Sequence, residues 1–476
     1  MSSEQSKPPL TGTKGMGLLI TAIILGAIMP IMDSTIVSIG LQTLIGAFHT
    51  TAATIQWVTT GYLLAMAVAV CVVGWAQARF GGRRLWLMAL IAFVVGSLLC
   101  ALSWNIASII AFRALQGFAA GVLMPLMQTL AVQEARHRNI TSLGSLMSTV
   151  SLPVAVGPIV GPVLGGIVLN SLSWHWLFLI NVPFGIAAIA VAIPAFHDER
   201  PAQAQHPSLD IVGFLSVAAG LAGVLLGLTN IAREDGFAHA DVVIPLIVGV
   251  ALLVFFVAWP RSRDPQRTLI DITLLRARSV ASASSALFLV GAAMYAAQFL
   301  LPLYWQDLRG ESVLNAALLL VPQGVGSLLS RIVAGRLTDR FGGRVIALTG
   351  FLLTAATTLP FCFADASTSN MVLSGVLFLR GLALGVLLIP IMTVAYLDID
   401  NAAVPHASIL TRVGQQVGAS AGTAVAAVVL ESSLRNHALG AQASFHAAFA
   451  AAVVMTLIGA VLSLWLPGRA ASAQVE

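Results

Sequence analysis

The sequence predicts an all-α membrane protein with fourteen transmembrane helices, arranged as two six-helix bundles plus two extra central helices. Three observations lead to this fold class: the composition, a series of long apolar runs, and an internal repeat. Of the 476 residues, 58% are hydrophobic and 9% are charged, and the mean hydropathy is +0.93. Soluble domains average about 25% charged residues. The chain is therefore expected to lie in a lipid bilayer.

The apolar runs predict the helices in order along the chain. A hydrocarbon core of about 30 Å is crossed by roughly 20 helical residues, and fourteen runs between polar or turn residues approach or exceed that length. Because fourteen is even, both termini are expected on the same side of the membrane. The predicted helices span residues 15–40, 52–73, 84–102, 106–131, 139–168, 175–196, 209–229, 240–260, 279–305, 312–335, 344–363, 370–396, 404–431 and 444–466.

The basic residues predict the orientation of these helices. Short loops on the cytoplasmic side of membrane proteins are enriched in Lys and Arg. Of the 24 Lys and Arg residues, seventeen fall on the side of the termini, three on the opposite side, and four within helices. Both termini are therefore expected in the cytoplasm, with the protein in a cell (inner) membrane. This placement explains the net charge of +5 without a nucleic-acid partner.

Two phrases recur along the chain. "GWAQARFGGRR" begins at Gly74 and "GRLTDRFGGR" begins at Gly335, and the stretch Arg113–Gly121 has an echo in Arg380–Gly385. Two adjacent halves of six helices would place the copies only about 200 residues apart, so the larger offset leaves room for two inserted helices. We predict a first six-helix bundle in residues 1–196, a linker with two extra helices in residues 197–278, and a second bundle in residues 279–476.

The polar residues contain no pattern typical of an enzyme. The nine His residues form no cluster with metal-ligand spacing, and the glycine-rich stretches lie inside predicted helices, not at strand-to-helix turns. The sequence shows no phosphate-binding loop with Lys and Ser or Thr. We therefore expect neither enzymatic activity nor a metal or other cofactor. Any active process at the membrane then has to draw on an ion gradient.

Asp33 is the only acid well inside a predicted helix, and Arg113 lies at a similar depth in the fourth helix if each residue rises ~1.5 Å. Ionisable groups inside a membrane are costly and usually functional. We expect an ion pair in which the Asp33 carboxylate can bind and release a proton. The structural alternative is a static ion pair, or a cap at the helix break beside Pro30.

Small residues and prolines mark the fifth predicted helix. Glycines four residues apart let two helix backbones approach closely, and prolines bend a helix. The pattern predicts at least tight helix packing, and beyond that a bendable contact that decides which side of a site can open. The residues concerned are Gly157, Gly161, Pro162, Gly165 and Gly166.

The two repeated phrases are predicted to form short loops on the side of the termini. Their glycines permit tight turns, and their arginines keep the loops on the cytoplasmic side. Only the second copy carries an acid, Asp339, where the first has Ala78; an acid here can pair with an Arg or stabilise the N-terminus of a neighbouring helix. The loops are either topology anchors or an inner gate formed by Gly74, Arg79, Gly81, Arg83, Gly335, Asp339, Arg340, Gly342 and Arg344.

A set of polar and aromatic residues inside the helices is expected to line a central cavity, although any single member could equally be a helix contact. Arg331 and Arg412 lie near helix ends and are expected mainly to anchor them, whereas Arg380 lies deeper. The expected cavity residues are Gln56, Trp57, Tyr62, Gln116, Gln128, Tyr295, Gln298, Gln323 and Arg380.

Taken together, these motifs resemble the major facilitator superfamily, in its branch of 14-helix drug:proton antiporters. Gly157–Gly166 matches the antiporter motif of that superfamily, Arg113–Gly117 matches its fourth-helix motif, and Asp33–Val37 matches the first-helix motif of the branch. The stretch Trp174–Gly185 is similar to the start of that branch's sixth helix. The resemblance extends over nearly the whole chain.

The resemblance implies that Asp33 takes part in proton coupling, that Arg113 supports the proton site, and that the Gly157–Gly166 stretch sets the direction of export. It further implies efflux of hydrophobic or cationic drugs in exchange for protons, by alternating access between the two halves. The implied partners are the bilayer, small substrates, protons and, as a candidate, a periplasmic adaptor. Ala78 departs from the family pattern, which has an acid at this position.

Two other functions are compatible with the sequence. A dedicated exporter of a single lipid, siderophore or metabolite would keep the fold, and so would a non-transporting membrane sensor. A single buried acid with few other charges favours apolar or cationic cargo. A sensor has no reason to bear the cost of burying Asp33 and Arg113, so transport is the expected function.

Overall fold

The computed structural model describes residues 13–137, 152–196, 210–230, 239–258, 272–365, 367–396, 399, 404–435 and 440–468, and these segments form a bundle of helices. The helices are α1 (Thr13–Ile39), α2 (Leu41–Phe48), α3 (Ala52–Phe80), α4 (Gly82–Ala101), α5 (Ile106–His137), α6 (Leu152–Ser171), α7 (Trp176–Leu179), α8 (Asn181–Ala195), α9 (Ile211–Asn230), α10 (Ala240–Ala258), α11 (Arg278–Leu303), α12 (Val313–Phe341), α13 (Gly343–Thr358), α14 (Asn370–Gly385), α15 (Leu388–Ala395), α16 (Val404–Arg435) and α17 (Ala441–Ser463). Short 3₁₀ segments cover Ile272–Arg276 and Leu359–Cys362, and a π-helical turn covers Tyr304–Leu308.

Thirteen helical segments of the described chain are long and apolar enough to cross a membrane. Two of them are interrupted helices, formed by α7 with α8 and by α14 with α15. The remaining predicted crossing corresponds to α6 (Leu152–Ser171), of which Ile159–Ser171 forms a shorter apolar helix within the described residues. Its predicted start at residue 139 lies outside the described residues. The predicted multi-pass helical membrane fold is confirmed.

The helices that contain the repeated phrases end later than predicted. We expected residues 74–83 and 336–343 to form loops, but α3 continues to Phe80 and α12 continues to Phe341. A single glycine inside a helix costs only about 1 kcal/mol, which the surrounding helix easily overcomes. The turns are reduced to Gly81 and Gly342, with φ of 81° and 84°. Side chains disfavour this region of φ, so glycine is required at both turns.

The largest apolar core shared by the two halves in the described chain lies on one side of the membrane. We name the side where α1 begins and α17 ends the terminal side, and the other the opposite side. On the opposite side, one cluster joins Ile36 of the first half with Phe299 and Phe361 of the second. Toward the terminal side, one cluster forms around Trp86 of the first half and another around Phe351 of the second. The halves are therefore joined most firmly on the opposite side.

The two extra helices pack beside the halves. Helices α9 and α10 contact each other closely at Gly220, Gly223 and Gly249. Helix α9 then covers the seam between α3 and α16, where Leu221 packs in one cluster with residues of both. Residues 197–209, 231–238 and 259–271 of the predicted linker lie outside the described chain. The domain boundaries stay a prediction.

Candidate functional site

A buried ion pair joins α1 to α5. Arg113 Nη1 donates a hydrogen bond to Asp33 Oδ2, and the two side chains are only 1% and 0% exposed. The pair expected from the sequence is therefore present. Opposite charges in a poorly solvated interior compensate one another, and removal of either partner leaves an uncompensated buried charge.

Two amides complete the surroundings of the Asp33 carboxylate. Gln116 Nε2 donates to Asp33 Oδ1 at 3.0 Å, and Asn181 Nδ2 donates to the same oxygen at 2.8 Å. Gln116 follows Arg113 by three residues, so both lie on one face of α5. Asn181 is the first residue of α8. In the sequence, only its position within the Trp174–Gly185 stretch indicates that Asn181 belongs to a functional motif. The three donors satisfy the buried carboxylate.

Arg113 is also held by α3. Its Nε donates to the carbonyl of Val58 at 3.1 Å, and its guanidinium carbon lies 4.1 Å from the centre of the Tyr62 ring. The Tyr62 hydroxyl donates in turn to the carbonyl of Pro30 at 3.2 Å. Arg113 is therefore held by α3 as well as by Asp33 of α1.

Two adjoining cavities lie between the halves. Their empty volumes are about 790 and 770 Å³, and their walls come from both halves. Three residues of the expected cavity set, Tyr295, Gln298 and Gln323, lie on these walls. The residues common to both walls are Thr35, Met294, Gln298, Arg331 and Leu388. Arg331, expected mainly as a helix anchor, thus lies on the cavity wall.

Other members of the expected set do not line these cavities. Gln56, Tyr62 and Gln116 are fully buried inside the first half. Trp57 packs in the seam between α3, α9 and α16. The side chain of Gln128 lies outside the described residues. Polar side chains in membrane helices find partners on neighbouring helices, so residue type alone does not identify a cavity wall.

Arg380 lies behind the cavity wall of the second half. Only 2% of it is exposed. Its Nε donates to Thr358 Oγ1 at 3.0 Å, its Nη1 to Gln323 Oε1 at 3.0 Å, and its Nη2 to the carbonyl of Ala293 at 3.1 Å. Instead of facing the cavity directly, as expected, Arg380 holds α11, α12 and α13 together.

Glycine contacts correct the register of the internal repeat. Gly117 of α5 packs against the backbone of α3, and Gly381 of α14 packs against the backbone of α12 in the same way. The residue before each glycine must therefore correspond. Arg380 takes the place of Gln116, not of Arg113, so the echo between the two arginines was one helical turn out of register.

Helix α6 packs its glycines against both halves. A side chain at Gly157, Gly161 or Gly165 would collide with side chains of α1. Gly166 faces α12, where a Cβ would come within 2.9 Å of an alanine side chain. Pro162 lies on the cavity wall. The tight packing expected from the motif is present; its influence on the direction of export stays a prediction.

Known proteins share this sequence pattern and this fold. The sequence model of the Major Facilitator Superfamily matches residues 23–423. The chain belongs to the Major Facilitator Superfamily. The Multidrug resistance protein B homolog of Mycobacterium tuberculosis is 36% identical over 421 residues, which cover 87% of this chain and 76% of the relative. The putative multidrug resistance protein MdtD of Serratia proteamaculans is 28% identical over 426 residues, covering 89% and 87%.

Solved structures of transporters share the superfamily fold. The nucleoside transporter NupG matches with a TM-score of 0.69 at 12% identity, over 94% of this chain and 99% of that one. A bacterial homolog of the human lysosomal transporter Spinster, in an inward-facing and unoccupied conformation, matches with a TM-score of 0.65 at 14% identity, over 96% and 98%. At these identities the likeness shows the fold alone, and it confirms the architecture expected from the sequence.

In this superfamily member, the charged residues of the repeated phrases lie at helix ends on the terminal side. Arg79, Asp339 and Arg340 belong to the last turns of α3 and α12, not to loops, because both helices continue to the turn glycines. Arg83 Nη2 donates to the carbonyl of Ile193 at 2.7 Å and so ties α4 to α8. A gating role for these residues stays a prediction.

Proposed function

We propose that this protein is a proton-coupled exporter of hydrophobic or cationic drugs and toxic compounds, working by alternating access. One observation carries the proposal: neighbouring residues of α1 face the ion pair and the cavity. Asp33 contacts Arg113 inside the first half, whereas Ser34 and Thr35 line the cavity. A change in the charge of Asp33 can therefore move the wall of the substrate site.

Protonation of Asp33 supplies the driving step. When Asp33 is ionised, its bonds to Arg113, Gln116 and Asn181 tie α1 to α5 and α8. When it is protonated, the ion pair with Arg113 is lost. Disrupting a buried ion pair costs about 3–5 kcal/mol, which is enough to shift a two-state equilibrium by roughly a thousandfold. Asp33 therefore biases the position of α1.

The movement of α1 passes to the second half through α6. The glycine face of α6 packs against α1, and Gly166 of the same helix packs against α12. Side chains cannot be compressed at these contacts, so a shift of α1 has to move α6 as well. The contact between α6 and α12 then changes the interface between the halves, as alternating access requires.

The terminal side is the cytoplasmic side in this proposal. Seventeen basic residues on that side against three on the other support the orientation. The largest apolar cluster that joins the two halves lies on the opposite side, whereas the clusters around Trp86 and Phe351 toward the terminal side are distinct. The structure thus resembles a state that can receive cargo from the cytoplasm of a cell with an inner membrane.

The names of the relatives support drugs as cargo. Two of the curated relatives carry the name multidrug resistance protein. The polyspecific binding implied by that name agrees with a cavity wall that contains several methionines, since Met adapts its shape to different ligands.

Efflux in a pump-deficient cell tests the proposal. Cells that express the wild type should show lowered drug accumulation that is abolished by a proton uncoupler. Asp33→Asn should accumulate drug as empty cells do, because the residue can no longer bind and release a proton. Asp241→Asn, which changes an exposed acid in the first turn of α10, is the matched control and should behave as wild type. Efflux that persists with the uncoupler, or in Asp33→Asn, would reject proton coupling.

A further inference from the structure

A row of hydrogen-bond donors on α12 faces the central cavity. Gln323, Ser327 and Arg331 follow one another at intervals of four residues, so they lie on one face of the helix. All three line the first cavity, and Arg331 also lines the second. We name these three residues the donor row.

Hydrogen bonding fixes the amide orientation of Gln323. Arginine can only donate hydrogen bonds, and Arg380 Nη1 lies 3.0 Å from Gln323 Oε1. The oxygen of the amide is therefore turned toward Arg380, and the Nε2 group is left for a molecule in the cavity. The donor row thus offers an amide N–H, a hydroxyl and a guanidinium.

The rest of the described wall adds apolar surface and no acid. Met66, Met124 and Met294 line the second cavity, and no Asp or Glu is found on the described walls of either cavity. Asp33 is fully buried and pairs with Arg113 inside the first half. Among the described wall residues, the charged group that faces both cavities is therefore the Arg331 guanidinium.

We propose that the donor row binds the anionic head of an amphipathic substrate, such as an aromatic carboxylate, whose apolar body lies against the methionines. A guanidinium binds a carboxylate through two parallel hydrogen bonds, whereas it repels an ammonium group. The inference rests on the proposed export through the same cavity. Within that proposal, it favours hydrophobic compounds with an anionic head over cationic compounds.

Binding of three matched probes to the purified protein in detergent tests the proposal without any proton gradient. The probes are 2-naphthoate, 2-naphthamide and 2-naphthylmethylammonium at pH 8, and the readout is equilibrium dialysis. Wild type should bind 2-naphthoate at least about tenfold more tightly than the ammonium. Arg331→Gln should lose about ten- to a hundredfold of the naphthoate affinity, as expected for a hydrogen-bonded charge, with little change for the amide.

Two further variants serve as controls. Arg331→Lys keeps the charge and should keep the preference for 2-naphthoate, which guards against a variant that merely misfolds. Arg412→Gln removes another arginine of the terminal side that does not line the cavities, and should bind all probes as wild type does. The inference would be overturned if the wild type preferred the ammonium or failed to bind 2-naphthoate. It would also be overturned if Arg331→Gln weakened the binding of all three probes equally. These results would leave the efflux test of proton coupling unaffected.

Discussion

Asp33 connects three helices at the scale of a single residue. Its carboxylate accepts hydrogen bonds from Arg113 and Gln116 of α5 and from Asn181 of α8, and its own helix lines the cavity. Each donor gives the buried carboxylate a hydrogen-bond partner in a place where water does not. The neutral amides as well as the arginine therefore hold this carboxylate in place.

Asn181 is expected to influence proton release. Asn181→Ala removes a donor at 2.8 Å from Asp33 Oδ1, and a hydrogen bond to a charged group contributes about 1.5–3 kcal/mol. The hydrogen bond that joins Asp33 of α1 to α8 is lost, so proton-driven export should fall about tenfold or more. Transport by proteoliposomes with an imposed pH gradient measures this. Asn315→Ala, at an exposed position of α12, should transport normally. Normal export by Asn181→Ala would show that the amide is dispensable.

The sequence predicts the charged members of the site and misses the neutral ones. Asp33 and Arg113 are conspicuous because charges are rare in membrane helices. Asn181 and Gln306 are not, because neutral amides occur throughout such helices and only the packing decides which of them meet. Gln306 lies in the π-helical turn after α11, and its Nε2 donates to the carbonyl of Ile39 at 3.0 Å. No sequence pattern predicts this link between the halves.

At the scale of helices, the glycine face of α6 sets its distance from α1. Gly161→Ala should destabilise the protein by about 1–3 kcal/mol, the usual cost of overpacking, because the added methyl group collides with Thr35. Gly74→Ala provides the control, since a Cβ there meets nothing within 4 Å. Thermal unfolding in detergent should show a lower midpoint for Gly161→Ala alone. Equal midpoints for both variants would mean that α1 and α6 are not packed this closely.

On the opposite side, Arg309 joins two loops through hydrogen bonds. Its Nη1 donates to the carbonyl of Asp365, and its Nη2 donates to the carbonyl of Thr368 at 2.5 Å. The Asp365 carboxylate accepts hydrogen bonds from the Ser367 hydroxyl at 2.7 Å and from the Thr368 hydroxyl at 2.9 Å. These bonds lower the pKa of the Asp365 carboxyl.

The loop around Asp365 should lose order in acid. Because the folded pKa is lowered, the carboxylate stabilises the loop fully above its usual value of about 4, and this contribution disappears as the pH falls through the lowered pKa. Amide exchange of the loop, corrected for its intrinsic pH dependence, should be constant from pH 8 to 5 and rise below about pH 4. Asp365→Asn should remove the pH dependence. A loop whose exchange rises already between pH 7 and 5 would contradict this account.

Helix ends show where prediction from sequence stops. Charge and hydropathy place the crossings, but the loops expected at residues 74–83 and 336–343 are shorter, because α3 continues to Phe80 and α12 to Phe341. A single glycine is tolerated when the flanking residues pack as a helix. The turns instead form at Gly81 and Gly342, where the backbone adopts a positive φ that the sequence alone does not reveal.

At the scale of the whole molecule, the halves are linked on the opposite side. Gln298 Nε2 donates to the carbonyl of Ser34 at 3.0 Å, and Gln306 provides the second link to α1. Alternating access has to break these two bonds and the shared core when the opposite side opens. Residues on the terminal side must then hold the two halves together.

Asp339 is the expected charged latch on the terminal side. The first copy of the repeated phrase has Ala78 at the corresponding position, so the two halves differ here. Asp339→Ala should reduce the export rate several-fold without lowering thermal stability, because Asp339 lies on the exposed face of the last turn of α12. Ala78→Asp should change export much less. If both variants leave the export rate unchanged, the phrases serve only as topology anchors.

Proton flux through the purified protein tests the central claim most directly. Proteoliposomes with an internal pH dye are given a substrate gradient and no pH gradient, and the dye reports proton movement. The account predicts substrate-dependent proton movement with the wild type, and none with Asp33→Asn at an unchanged substrate affinity. Substrate-dependent proton movement of wild-type size in Asp33→Asn would contradict the claim that Asp33 carries the coupled proton.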